Sequence, residues 1–196
     1  DRCMEWRSER AVVQATAVSA SLCGRDFPVL QPFRHITAHH ALRRRVAIVT
    51  DSAADIPEDD LERLDIHLVP VRVNFGQHSY LDKVGLSPEQ FFELLATSPD
   101  PPKTSQPPPG DFRRLFEFLT SHYESVVSVN LTGLASGTRQ AAEAAAARLA
   151  AKERVTVVDS ANAALGQGLL VMYAAECAAV GMDMPQVVAA LRAMIP

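Results

Sequence analysis

Short apolar runs that end in a small polar loop and continue into a helix recur along this sequence. The clearest example is SVVSVNLTGLASGTRQAAEAAAARLAAKERVTVVDS, residues 125–160. Val126, Val127 and Val129 form a β-branched run typical of a buried strand, and the alanine-rich segment Arg139–Lys152 is typical of a helix. A second apolar run, VTVVD, follows that helix. Strand, loop, helix and strand in this order predict parallel strands joined by a crossover helix.

The same alternation extends from residue 46 to the end of the chain and predicts an α/β fold, in which a parallel sheet carries helices on both faces. We expect the runs Val46–Thr50, Val126–Leu131 and Val155–Asp159 to be neighbouring parallel strands. The segment IHLVPVRVNF predicts one further strand, and PPKTSQPPPG predicts a rigid loop. The predicted helices are EDDLERL, SPEQFFELLAT with Ser87 as its N-cap, DFRRLFEFLTS, the alanine-rich segment, a long apolar helix after SANAALGQG, and MPQVVAALRAM.

Composition bounds the class of protein. The chain has 196 residues with a net charge of -4, and its basic triplet Arg43-Arg44-Arg45 is isolated, which argues against a nucleic-acid surface. No apolar run has the length of a membrane span. The three cysteines, Cys3, Cys23 and Cys177, have neither metal-binding spacing nor an even number, so they indicate reduced thiols and a cytoplasmic protein without a metal site. Residues 1–45 show no sustained period, and we interpret them as an N-terminal extension or linker.

Four loops rich in small polar residues follow predicted strands: Thr50–Ala53, Lys103–Gln106, Thr132–Thr138 and Asp159–Asn162. Each loop alone is typical of a turn or helix cap. Because ligands of parallel α/β sheets bind at the carboxyl ends of the strands, the recurrence of such loops there predicts a binding site. One edge of the sheet would then carry Asp51, Ser52, Thr104, Ser105, Ser136, Thr138, Asp159 and Ser160.

The spacing within the loop GLASGT argues against two common chemistries. It lacks the Gly-x-Ser-x-Gly pattern of a hydrolase nucleophile, and no histidine lies nearby in the apolar segments to act as a base for Ser136. It also departs from the phosphate-binding P-loop, because Gly133 and Gly137 enclose only three residues and Thr138 stands where lysine is required. Hydroxyls and helix amides remain, and they suit a small anionic head group such as a carboxylate that is held and not cleaved.

Four segments in the same order make the chain similar to the DegV family of bacterial fatty-acid-binding proteins: VAIVTDSAADIP, PPKTSQPPPGDF, VNLTGLASGTRQAA and VTVVDSANAALGQGLLV. The resemblance covers residues 46–196. It implies a DegV-like α/β domain that binds a long-chain fatty acid without a further cofactor, and some members serve as the acyl-carrying subunit of fatty acid kinase. It also implies that Thr104 and Ser136 bond to the fatty-acid carboxylate, with Ser105 beside them and the amides of Gly137 and Thr138 assisting.

The chain departs from the family pattern at three points. Ala135 precedes Ser136 where the family usually has leucine, and Arg139 follows Thr138 where it usually has tyrosine. Arg139 is expected either to face solvent or to add charge near the head group. The family's second domain, which closes over the acyl tail, would begin near the last residues RAMIP, so we expect a chain truncated before that domain.

Two other functions remain open from the sequence. One is a phosphoryl- or acyl-transfer enzyme that uses Asp51 and Asp159 at the same edge, with magnesium as an optional partner. The other is a domain that only associates with other proteins. Against the first alternative, aspartates at the ends of strands commonly form turns, so we expect Asp51 and Asp159 to accept hydrogen bonds from loop amides.

Overall fold

A four-stranded parallel sheet lies at the centre of residues 45–195, the part of the chain that the computed structural model describes. Across the sheet its strands are, in order, Ile66–Val69, Val46–Asp51, Ser125–Asn130 and Val155–Asp159. In chain order the elements are β1 (Val46–Asp51), α1 (Glu58–Leu64), β2 (Ile66–Val69), β3 (Arg72–Phe75), β4 (His78–Leu81), α2 (Pro88–Thr97), β5 (Lys103–Ser105), α3 (Pro109–His122), β6 (Ser125–Asn130), α4 (Thr138–Ala146), β7 (Val155–Asp159), α5 (Ala164–Ala179) and α6 (Met184–Met194).

The three strands expected to be neighbours are confirmed as such. Strand β1 pairs in parallel with β6, and β6 pairs in parallel with β7, while β2 lies on the other side of β1. The chain therefore leaves β1 in one direction along the sheet and later returns on its opposite side. This reversal creates a topological switch point between β1 and β6, which is where open α/β sheets bind their ligands.

Helices cover both faces of this sheet, as the alternation of strands and helices predicts. Along β1, Val46 and Ile48 join the buried cluster that contains α5 and α6 residues. Ala47 and Val49, which point to the opposite face because successive side chains of a strand alternate, join the cluster formed with α3 and α4. The first cluster consists of buried aliphatic side chains and Cys177, and the second adds Phe112 and Phe116, so each face of the sheet is a packed core.

The single strand predicted for IHLVPVRVNF is wrong, because the chain divides at Pro70. Strand β2 ends at Val69 in the parallel sheet, and β3 begins at Arg72 in a separate three-stranded antiparallel sheet of order β4-β3-β5. Proline lacks a backbone N–H and interrupts a strand ladder, which accounts for the break. The predicted rigid loop is also corrected, since Lys103–Ser105 forms β5 and pairs with β3.

Helix boundaries differ modestly from the expected ones. The alanine-rich helix α4 ends at Ala146 and not at Lys152, and α5 begins at Ala164 inside the segment predicted as a loop. Ser87 caps α2 as expected and does so with a full capping box with Gln90.

The predicted extension lies outside the described residues except for Arg45. Among the helices of residues 45–195, none is long and apolar enough to cross a lipid bilayer.

Helix α5 approaches the turn after β1 so closely at Gly168 that replacing this glycine by alanine should destabilise the fold. A Cβ on Gly168 would press against the backbone carbonyl oxygen of Ala54, which has no freedom to move aside. Alanine is favoured over glycine by about 0.8–1.0 kcal/mol in a helix interior. We nevertheless expect Gly168→Ala to lose about 1–3 kcal/mol of unfolding free energy, as is typical of overpacking.

The matched control is Gly110→Ala in the first turn of α3, where the nearest atom to an added Cβ is Arg114 Nη1 at 3.9 Å. Urea denaturation should show this control unchanged or slightly stabilised. Equal stability of the two alanine variants would mean that α5 is not held against the turn as described.

Candidate functional site

The buried carboxylate of Asp51 joins the two loops that flank the switch point. Its Oδ2 accepts hydrogen bonds from Asn130 Nδ2 at 3.1 Å and from the Leu131 amide at 2.9 Å, both at the end of β6. Its Oδ1 accepts from the Ala53 amide at 3.2 Å. Asp51 is fully buried, so these three donors replace the water that the carboxylate loses. The ends of β1 and β6 are thereby held together.

A second polar contact ties α5 to the same end of the sheet. Thr50 Oγ1 donates to the Val129 carbonyl oxygen at 2.8 Å and accepts from Gln167 Nε2 at 3.0 Å. Sequence reasoning missed Gln167 and Asn130 as residues of this region. Both are polar residues within apolar runs, and both are fully buried, so the polar interruption was the signal that would have found them.

The turn after β6 is anchored to the loop after β7. The Thr132 amide donates to the Asn162 carbonyl oxygen at 3.0 Å, and the Gly133 amide donates to the Asp159 carboxylate at 3.2 and 3.3 Å. Within the turn, the Ser136 amide donates to the Thr132 carbonyl oxygen at 3.2 Å. The turn that carries Ser136 is therefore held by its neighbour on the sheet as well as by its own backbone.

Ser136 and Thr138 form a hydroxyl pair where α4 begins. Their side-chain oxygens lie 2.9 Å apart, and the Thr138 amide donates to Ser136 Oγ at 3.2 Å. The resemblance implies that the Thr138 amide assists in binding the carboxylate, but in the structure this amide already donates to Ser136 Oγ. The first bond within the helix runs from the Ala141 amide to the Gly137 carbonyl oxygen, so the amides of the preceding turn have no acceptor inside the helix.

The sequence predicted that Thr104 and Ser105 follow a strand of the parallel sheet. They belong instead to strand β5 of the small sheet. The segment nevertheless reaches the Ser136 turn, because the side chain of Gln106 lies directly against Gly137, where no Cβ would fit beside it. Gln106 thus joins the site, and glycine at 137 makes room for it. The convergence of Thr104 and Ser136 on one carboxylate stays a prediction.

The remaining predicted residues support the loops. Asp159 Oδ1 accepts from the Ala161 amide at 2.9 Å, in addition to its bonds with Gly133. Ser160 Oγ donates to the Asn162 carbonyl oxygen at 2.9 Å and accepts from the Asn162 amide at 3.1 Å. Ser52 Oγ accepts from the Val71 amide at 3.0 Å, which links the turn after β1 to the start of the small sheet. These are the bonds expected of turn-forming residues.

Arg139 supplies a positive charge at the Ser136 turn. Its Nη1 donates to Glu143 Oε1 at 2.9 Å, and its Nε lies 3.4 Å from Asp159 Oδ2, an ion pair without hydrogen-bond geometry. The side chain is only 31% exposed because it folds back over Gly133. Of the two positions expected for Arg139, the structure therefore favours the one near the turn and not the one directed to solvent.

Exposed apolar side chains lie in the turn that carries Ser136 and on α5. Leu134, two residues before Ser136, is 98% exposed, and Leu165 and Leu169 on α5 are 59% and 57% exposed. One helical turn further along α5, the hydrogen bond that the Tyr173 phenol donates to Cys177 raises the pKa of that phenol. Because the turn of Leu134 bonds to the loop that precedes α5, this apolar surface begins beside the candidate site.

No group of three or more His, Cys, Asp or Glu side chains within residues 45–195 is arranged to hold a metal ion. The hydrogen-bond partner of the Ser136 hydroxyl is the Thr138 hydroxyl, which is not a general base. The hydrogen-bond donors of the described site are therefore hydroxyls, backbone amides and the side-chain amide of Gln106, with one guanidinium group beside them. This donor set can bind an anion and position it.

A family model described as "Uncharacterised protein, DegV family" matches residues 45–196. A DegV domain-containing protein of Caldanaerobacter subterraneus is 38% identical over 152 residues, which are 78% of this chain and 54% of that relative. A solved structure titled as fatty-acid binding of a DegV family protein from Thermus thermophilus is 37% identical with a TM-score of 0.70; the match covers 76% of this chain and 53% of that one. DegV of Bacillus subtilis, titled a fatty acid binding protein, is 33% identical with a TM-score of 0.72 and the same coverage. The chain thus spans about half the length of the proteins it matches.

Removing the Asp51 carboxylate should destabilise the whole described fold. In Asp51→Ala the amides of Ala53 and Leu131 and the side chain of Asn130 lose their buried acceptor. We expect a loss of about 3–5 kcal/mol in unfolding free energy, as for breaking a buried polar network.

Asp51→Asn is the conservative control, because its carbonyl oxygen still accepts the two bonds from β6 and only the bond to Ala53 is lost. Its loss should be about 1–2 kcal/mol, measured in the same urea denaturation. If both variants kept the stability of the original chain, the carboxylate would not join the two loops.

Proposed function

Because the chain belongs to the DegV family, we propose that its α/β domain binds a long-chain fatty acid and holds the carboxylate at the Ser136 turn. The hydroxyl pair of Ser136 and Thr138 at the start of α4 is the observation that carries this proposal. It lies after β6, beside the switch point of the sheet. Hydroxyls and the positive end of a helix together favour an anion.

The contacts around the turn support a carboxylate in particular. A carboxylate taken out of water needs several donors, since an unpaired buried charge is costly. Ser136 and Thr138 have hydroxyl protons that can rotate toward a ligand. Gln106 lies against Gly137 and brings the segment of Thr104 to the same turn. In this proposal Thr104 and Ser136 donate to the carboxylate, and Ser105, Gly137 and Thr138 line its surroundings.

The exposed leucines beside the turn support an apolar tail on the ligand. Leu134 in the turn itself, and Leu165 and Leu169 on the helix after the loop that bonds to this turn, present exposed carbon surface. Burying an acyl chain yields about 0.8 kcal/mol per methylene. The titles of the similar structures name fatty acids as the ligands of those proteins, and one of them, from Eubacterium ventriosum, specifies stearic acid.

We further propose that the bound fatty acid is presented to a kinase subunit and is not altered by this chain. The Ser136 hydroxyl pairs with another hydroxyl and not with a base. Amide donors occupy the carboxylates of Asp51 and Asp159, which favours a loop-supporting role for both over catalysis. A carrier must leave the carboxylate of its bound fatty acid accessible to the partner. A carboxylate held at the turn after β6 would lie at the edge of the sheet, where a partner can reach it.

Ser136→Ala should weaken binding of a long-chain fatty acid by about 1–3 kcal/mol, the usual loss for a charge-assisted hydrogen bond. Because Ser136 Oγ also accepts from the Thr138 amide, the variant should lose about 1 kcal/mol of stability as well. Fluorescence titration with palmitate measures the affinity. Mass spectrometry of protein purified from cells tests independently whether a fatty acid co-purifies.

Ser125→Ala is the matched control, since this hydroxyl lies at the opposite end of β6 and donates to the Arg45 carbonyl oxygen. It should leave palmitate affinity unchanged. Unaltered affinity in the double variant Ser136→Ala with Thr104→Ala would show that the carboxylate is held elsewhere. Absence of palmitate binding by the unmodified chain would contradict fatty-acid binding by the chain itself.

A further inference from the structure

We propose that Arg139 makes the Ser136 turn able to accept an anion by cancelling the negative charge of Asp159. This inference rests on the proposed function, because it concerns how the same turn distinguishes a carboxylate from a neutral head group. Arg139 is a positioning residue in this proposal: it acts on Asp159 and need not touch the ligand.

The Ser136 turn has a carboxylate built into its support. The Asp159 oxygens accept from the Gly133 amide, three residues before Ser136, and a Cβ on Gly133 would lie only 3.2 Å from Asp159 Oδ2. Asp159 holds the turn in place through this bond. It also places a negative charge on the turn to which the proposed ligand brings its own, and like charges repel.

The guanidinium of Arg139 lies on the same glycine. A Cβ on Gly133 would lie 2.8 Å from Arg139 Nε and 3.1 Å from Nη2, so the cation packs on the backbone of the turn itself. Its Nε is 3.4 Å from Asp159 Oδ2. Arginine and aspartate thus pair beneath the turn, so the positive charge of Arg139 offsets the negative charge that Asp159 places there while Asp159 keeps its hydrogen bonds.

The other charged groups nearby do not perform this function. Glu143 pairs with the opposite side of the Arg139 guanidinium through Nη1 and lies one helical turn further along α4. Asp51 is buried beneath the switch point, and its described partners are amides. Among the ion pairs of the described residues, the pair with Arg139 is the one that neutralises Asp159.

Arg139→Gln should weaken binding of tetradecanoic acid about three- to tenfold at low ionic strength, the range expected for one partly exposed charge at short distance. Binding of tetradecanol, which has the same tail and no charge, should be unchanged. The double variant Arg139→Gln with Asp159→Asn should return the acid's affinity to within about twofold of the original, because it removes one positive and one negative charge and so restores the original net charge beside the turn. Arg139→Lys, which keeps the charge, should bind almost as the original does.

The measurement is displacement of a neutral fluorescent lipid probe from the full chain, accompanied by thermal melts of each variant. Arg63→Gln is the charge-matched control, because Arg63 pairs with Asp60 within α1. Arg63 lies three residues before β2 and therefore near the amino ends of the strands, at the edge of the sheet opposite the Ser136 turn. It should alter neither affinity.

Three results would overturn the inference. Equal weakening of acid and alcohol in Arg139→Gln would make Arg139 a support of the loop only. A double variant as weak as the single one would mean that Arg139 contacts the ligand directly. Unchanged acid binding in Arg139→Gln would show that the charge of Asp159 does not reach the ligand. If the original chain binds the alcohol but not the acid, or binds neither, the proposed function itself fails and this inference fails with it.

Discussion

A buried carboxylate between two parallel strands organises the described part of this chain. Asp51 is the last residue of β1, and its bonds to Asn130 and Leu131 reach the end of β6, the strand where the sheet changes direction. The chain separates these residues by about eighty positions, so the contact closes a long loop in sequence and a short gap in space. The turn that carries Ser136 begins directly after Leu131, so its position depends on the hydrogen bond between the Leu131 amide and Asp51.

The site is built from pairs of elements that support each other across loops. The turn after β6 bonds to the loop after β7 through Thr132 and Gly133, while Ser52 connects the turn after β1 to the segment that enters the small sheet. In each of these bonds the donor is a backbone amide. A carrier that holds its ligand through hydroxyls and amides needs these donors to be already oriented, since orienting them on binding would cost entropy.

The sequence predicted the parallel sheet well because its signal is local. In β1, β6 and β7 each strand is a continuous apolar run that stops at a polar loop, and the same loops contain the residues that the structure finds at the carboxyl edge. The prediction of a single strand over IHLVPVRVNF failed because one apolar run contains two strands. Pro70 divides this run between the parallel sheet and the small sheet. The bonds of Gln167 and the contact of Gln106 with Gly137 depend on long-range packing, which no local pattern encodes.

The small sheet that carries Thr104 has a core of its own, formed by Val73, Phe75 and Leu86 and separate from the two clusters of the parallel sheet. Because this core has few buried side chains, we expect the small sheet to have the lower local stability and to exchange its backbone hydrogens sooner than the large sheet. The two halves of the proposed head-group site therefore belong to units of unequal stability. A ligand that bridges Thr104 and Ser136 is therefore expected to slow hydrogen exchange most strongly in β3 and β5.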